Sequence, residues 1–75
     1  MPPVMVLEIT GVDNDGDLVG TPAAWKHDAP RPTVHLTGSA RALACGPGDR
    51  VLARIAQSGG AYEGKVMRVL PSPPS

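Results

Sequence analysis

Gly48-Asp49-Arg50-Val51-Leu52-Ala53-Arg54-Ile55-Ala56, followed by Ser58-Gly59-Gly60 and then Tyr62-Glu63-Gly64-Lys65-Val66-Met67-Arg68-Val69-Leu70, is the stretch that decides the fold. From Arg50 to Ala56 the residues alternate, with Val51, Ala53 and Ile55 on one face and Arg50, Leu52 and Arg54 on the other, as the pleat of a half-buried strand requires. Ser58-Gly59-Gly60 reverses the chain, because glycine reaches the positive φ that tight hairpins need. Tyr62 to Leu70 is then the antiparallel partner. Its apolar residues Val66, Met67, Val69 and Leu70 crowd both faces, the mark of a β-bulge.

Working outward, Thr33 to Thr37 reads as a short third strand in which Val34 and Leu36 face inward and Thr33, His35 and Thr37 outward. A second strand is expected from Leu18 to Trp25, with Pro22 marking an edge or a bulge because it cannot donate to a ladder. The first, Val4 to Thr10, sets Met5, Leu7 and Ile9 against Glu8 and Thr10. Asp13-Asn14-Asp15-Gly16-Asp17 turns the chain between the first two strands. In the connection from Gly38 to Asp49, Ser39 to Ala44 is compatible with one helical turn, which Gly46-Pro47-Gly48 ends. No 3.6-residue period and no internal repeat is present. The class is all-β, and closure into a barrel removes the edges that five short strands would otherwise expose. The barrel is expected over residues 4–70, between a proline-rich start (1–3) and a Pro/Ser-rich linker (71–75) in polyproline-type conformation.

A chain of 75 residues holds one modest core, since a domain this small buries only about 60% of the surface of its unfolded chain. Room for a deep, water-excluding catalytic cleft is therefore scarce, and the chain is read as having no activity of its own. Formal net charge is zero. Its distribution is uneven: up to residue 30, five acids stand against one base (−4), and from Arg31 onward six bases stand against two acids (+4). The single Cys45 forms no internal disulfide, which fits a reducing cytoplasm and a role as small apolar filler. No basic, apolar leader and no run long enough to span a membrane is seen, so a soluble, intracellular protein is expected.

Candidate metal chemistry does not assemble. A calcium loop counted from Asp13 wants glycine sixth and glutamate twelfth, where this chain has Leu18 and Ala24. His27 and His35 lie eight positions apart with no second cysteine, so no zinc set forms. No nucleophile triad is present, and Gly46-Pro47-Gly48 lacks the lysine and helix of a phosphate cradle. Two features remain. Arg50, Arg54, Lys65 and Arg68 fall on two neighbouring strands and form a stripe that can track a phosphate backbone; the same pattern suits an ordinary solvated face with Glu63 paired to a neighbour. Trp25 reads as a lid on the core in preference to a docking residue. Aromatic residues number two, Trp25 and Tyr62, so the stacking that usually supports single-strand binding is scarce and any RNA binding is weak and electrostatic.

The series Val6-Leu7-Glu8-Ile9-Thr10-Gly11, Asp15-Gly16-Asp17-Leu18-Val19, Pro22-Ala23-Ala24-Trp25, Gly48 to Ile55 and Tyr62 to Leu70 resembles the N-terminal OB-type, cold-shock-like domain of ribonuclease R exoribonucleases of the alphaproteobacterial type. The resemblance spans nearly all of the chain between its proline-rich ends. It implies a five-stranded OB-like barrel that guides single-stranded RNA and contacts neighbouring domains of a processive 3′-to-5′ exoribonuclease. In that family clustered aspartates of a separate catalytic domain bind magnesium; none of them matches a position here, so no cofactor is expected in this chain. The aromatic stacking motifs of RNA-binding cold-shock strands are also missing. The rival expectation is a structural or protein-interaction barrel that touches no RNA, and a third is a small regulatory barrel unconnected with nucleases.

Overall fold

The computed structural model describes residues 3–25, 30–40 and 43–71. Five strands follow one another: β1 (Val4–Val12), β2 (Leu18–Pro22), β3 (Val34–Thr37), β4 (Arg50–Ser58) and β5 (Ala61–Val69). Among the described residues there is no helix. The strands close into a barrel in the order β1-β2-β3-β5-β4, every pair antiparallel except β3 with β5. This is an all-β, five-stranded OB-like barrel.

β1 serves two neighbours. Its first half pairs with β4, from Val4 opposite Arg54 to Glu8 opposite Arg50, and its second half pairs with β2. The register shifts between Ile9 and Gly11, so Thr10 is an extra residue, and a bulge of this kind bends and twists a strand enough to pass from one sheet to the next. At the same point the Ile9 amide donates to the Asp49 carbonyl at 2.8 Å and the Ile9 carbonyl accepts from the Gly48 amide at 2.8 Å, which ties β1 to the approach of β4.

Period-two alternation gives the core. Leu7, Ile9, Val34, Leu36, Val51, Ala53 and Val66 are buried and pack together, with Met5, Leu18, Leu43, Cys45, Ile55 and Tyr62 around them. No polar side chain is buried among the described residues. Gly64 fills a place no side chain fits easily: a Cβ there would meet Val34 Cγ1, Leu36 Cδ2 and Leu7 Cδ1 at 3.1 to 3.2 Å. Gly20 is tighter still: a Cβ there would lie 2.7 Å from the Glu8 carbonyl oxygen.

Several boundaries differ from expectation. β2 ends at Pro22 rather than Trp25; Pro22 is fully buried opposite Leu7, and after one further bond, from the Ala23 amide to the Val6 carbonyl, the ladder stops. Trp25 therefore lies past the strand, and it is half-buried. β1 and β4 run on two residues further than expected: β1 to Val12, which pairs with Leu18, and β4 to Ser58, because a two-residue turn at Gly59-Gly60 (φ 56° and 83°) keeps Ser58 and Ala61 paired. The expected turn at Ser39 to Ala44 contains one such bond, from the Leu43 amide to the Ser39 carbonyl at 3.0 Å; Arg41 and Ala42 within it lie outside the described residues, as do His27, residues 1–2 and most of the 71–75 linker.

Candidate nucleic-acid interface

Arg50, Arg54, Lys65 and Arg68 all stand on the outer face of the β4–β5 hairpin. Alternation puts Arg50 and Arg54 outward on either side of the buried Val51 and Ala53, and Lys65 is the direct partner of Arg54. Arg68 should point the other way, since it lies three positions on from Lys65 and a regular strand changes face at every step. The bulge corrects this. Ala53 pairs with Val66 and Leu52 with Arg68, so Met67 is the extra residue and Arg68 is returned to the outer face.

Charge balance on this face is uneven. Arg50 Nε lies 3.9 Å from Glu8 Oε2 on β1, a loose pair between half-exposed side chains. Among the described residues, no carboxylate lies within ion-pair distance of Arg54, Lys65 or Arg68. Glu63, which the sequence allows to pair with a neighbouring cation, sits opposite Ala56 on β4 and His35 on β3 and pairs with none of the four. The arrangement is three uncompensated cations with a fourth held to one side.

The acidic turn carries the opposite sign. The carboxylates of Asp13, Asp15 and Asp17 approach within 4.8 Å of one another. Asp13 Oδ1 accepts from the Asp15 and Asp17 amides, each at 2.9 Å, and its Oδ2 lies 3.2 Å from His35 Nδ1. The Asp17 amide above all, with the Asp15 amide and His35, holds the Asp13 carboxyl below its usual range, against a smaller opposing effect of desolvation. These contacts fold the turn and pin it to β3. They also place negative charge beside the β2–β3 surface, where OB barrels usually take their ligands.

Two grooves flank the cations, and neither was evident in the sequence. One, of about 410 Å³, is lined by Ala44, Cys45, Asp49, Met67, Arg68 and Val69 with Ser39. The other, of about 360 Å³, is lined by Met5, Val6, Ala23, Ala24 and Arg50. Met67 is 51% exposed and Val69 45%. Their signal in the sequence was the crowding of apolar residues on both faces of the last strand. Cys45 packs against the core, and burial, aided by the nearby Asp49, raises its thiol above the ordinary range.

No family model, no curated protein and no solved structure matches this chain.

Proposed function

We propose that this chain is an accessory RNA-guiding barrel, non-catalytic by itself, of the kind found in ribonuclease R-like 3′-to-5′ exoribonucleases of the cytoplasm. One observation carries the reading: Arg54, Lys65 and Arg68 stand together on the outer face of β4 and β5 with no carboxylate partner among the described residues. A row of unneutralised cations attracts a polyanion and gains most of its affinity from released counterions, without reading sequence. No described helix is long and apolar enough to cross a membrane.

The isotope-labelled chain titrated with a short single-stranded RNA tests this. With three phosphate contacts and a slope near −0.7 for each, affinity is expected to fall about 20-fold for each fourfold rise in salt, from a dissociation constant weaker than about 10 μM at low salt. Perturbed amides should cluster on β4 and β5. Sub-micromolar, salt-insensitive binding on β2 and β3 would overturn the assignment. Exposed Val12, Met67 and Val69 favour the rival reading, a barrel that packs on neighbouring domains of its own polypeptide without touching RNA; absence of binding at any salt would decide for it.

A further inference from the structure

The cationic row runs directly into the larger groove, because Arg68 belongs to both. Met67 stands beside it as the residue that β5 inserts without a cross-strand partner, half-exposed and outside the core cluster. Val69, Ala44 and Cys45 complete apolar walls. Asp49 also lines the groove, its Oδ2 accepting from the Gly46 amide at 2.9 Å. A carboxylate there repels phosphate, so the backbone of a nucleic acid is turned away from the groove while Arg68 and Lys65 hold it at the edge. What suits the interior is flat, neutral and polarisable.

We propose that this groove receives one unstacked base of a single-stranded RNA whose phosphates lie along Arg54, Lys65 and Arg68. The proposal rests on the RNA-guiding reading above and adds to it a subsite for one base. A paired base enters only after unpairing and unstacking, which costs free energy, so single strands are preferred. Met67, Val69, Ala44 and Cys45 offer the base van der Waals contact, and Ser39 and Asp49, with Arg68 at the edge, are the polar groups of the lining. Methionine supplies the contact that an aromatic ring supplies in other barrels, since a flexible, polarisable thioether packs well against ring systems. The bulge thus performs two tasks with one residue: it returns Arg68 to the outer face and presents Met67 next to it.

The test is a titration of the full chain, carrying ¹³C-labelled methionine methyl groups and ¹⁵N amides, at low salt. The probes are a short oligoadenylate, the same oligomer in duplex with oligouridylate, and an abasic ribose-phosphate oligomer of equal length. Oligoadenylate is expected to move the Met67 methyl upfield by its ring current while the Met5 methyl, in the other groove, stays in place. Duplex and abasic probes should shift only amides along β4 and β5. Met67→Ala, at an exposed position, should weaken oligoadenylate binding about three- to tenfold and leave the abasic oligomer unchanged. If oligoadenylate moves the Arg54, Lys65 and Arg68 amides but not the Met67 methyl, or Met67→Ala weakens both probes equally, the groove assignment falls and the RNA reading stands. If no probe moves those amides, both fall.

Discussion

Arg54 on β4 and Lys65 on β5 are direct cross-strand partners on the outside of the barrel, and among the described residues neither has a carboxylate within ion-pair distance. Like charges placed opposite each other in a sheet cost about 0.2–1 kcal/mol. Folding gains nothing from this pair. The RNA-guiding role proposed above would account for it.

Lys65→Gln separates the two contributions. Removing the repulsion should raise stability by about 0.2–1 kcal/mol in urea unfolding, while the salt dependence of RNA binding falls by about 0.7 in slope, the share of one phosphate. A variant that is both less stable and unchanged in binding would contradict the account of this face.

The glycines facing the barrel interior are expected to tolerate alanine very differently. Gly64→Ala brings a methyl against three core side chains that can give slightly, an overpacking cost of about 1–3 kcal/mol, or roughly 4–8 °C of melting temperature per kcal/mol in a domain of this size. Gly20→Ala drives its methyl into the Glu8 carbonyl oxygen, which is held in the β1 ladder, and should lower the midpoint further. Gly46→Ala meets open space and serves as the control, within about 0.5 kcal/mol of wild type. Thermal unfolding that ranks Gly64→Ala below Gly20→Ala would show that β1 yields more readily than the core.

Acid should loosen the turn between β1 and β2. The Asp13 carboxyl has a lower pKa folded than unfolded, chiefly through the Asp17 amide. Its contribution is therefore fully present above the unfolded value, about 3.9, and is lost as pH falls through the lower folded one. Asp13→Asn removes the ionisation, so its stability curve should fall less steeply than that of wild type below about pH 4. Urea midpoints between pH 2 and 7 measure this, and parallel curves would show that the contacts to Asp13 contribute nothing.

Millimolar calcium or magnesium should leave the amide spectrum of residues 13–17 almost unchanged. Of the three clustered carboxylates, Asp13 already spends one oxygen on two backbone amides and turns the other to His35. Asp15 and Asp17 alone fall far short of the six to eight oxygens calcium collects. Residue-specific shifts that saturate at micromolar metal would reveal a site.

Much of this barrel is legible along the chain because the pleat is a local property. Leu7 and Ile9, Val34 and Leu36, and Val51 and Ala53 sit at every second position of their strands, on the inward face of the pleat, and lie in the core for that reason. Gly59-Gly60 announces the hairpin, and the crowding around Met67 announces the bulge. The four cations could be assigned to two neighbouring strands on the same grounds. Trp25 could not be placed, because where β2 ends depends on how Pro22 packs against Leu7, not on the residues that follow it.

What only the tertiary structure decided are the relations between segments far apart in sequence. The parallel pairing of Val34 to Thr37 with Tyr62 to Lys65 closes the barrel, and no local pattern encodes it, since a strand's period says which face is buried but not which neighbour it meets. Closure brings Glu8 to Arg50 and Asp13 to His35, so one cation of the predicted row is partly neutralised and the acidic turn is anchored. It also crowds the position of Gly64, by converging Leu7, Val34 and Leu36 on one point. Whether Arg68 shares a face with Lys65 rests on which residue the bulge ejects, and the pairing of Ala53 with Val66 across the hairpin settles that in favour of Met67.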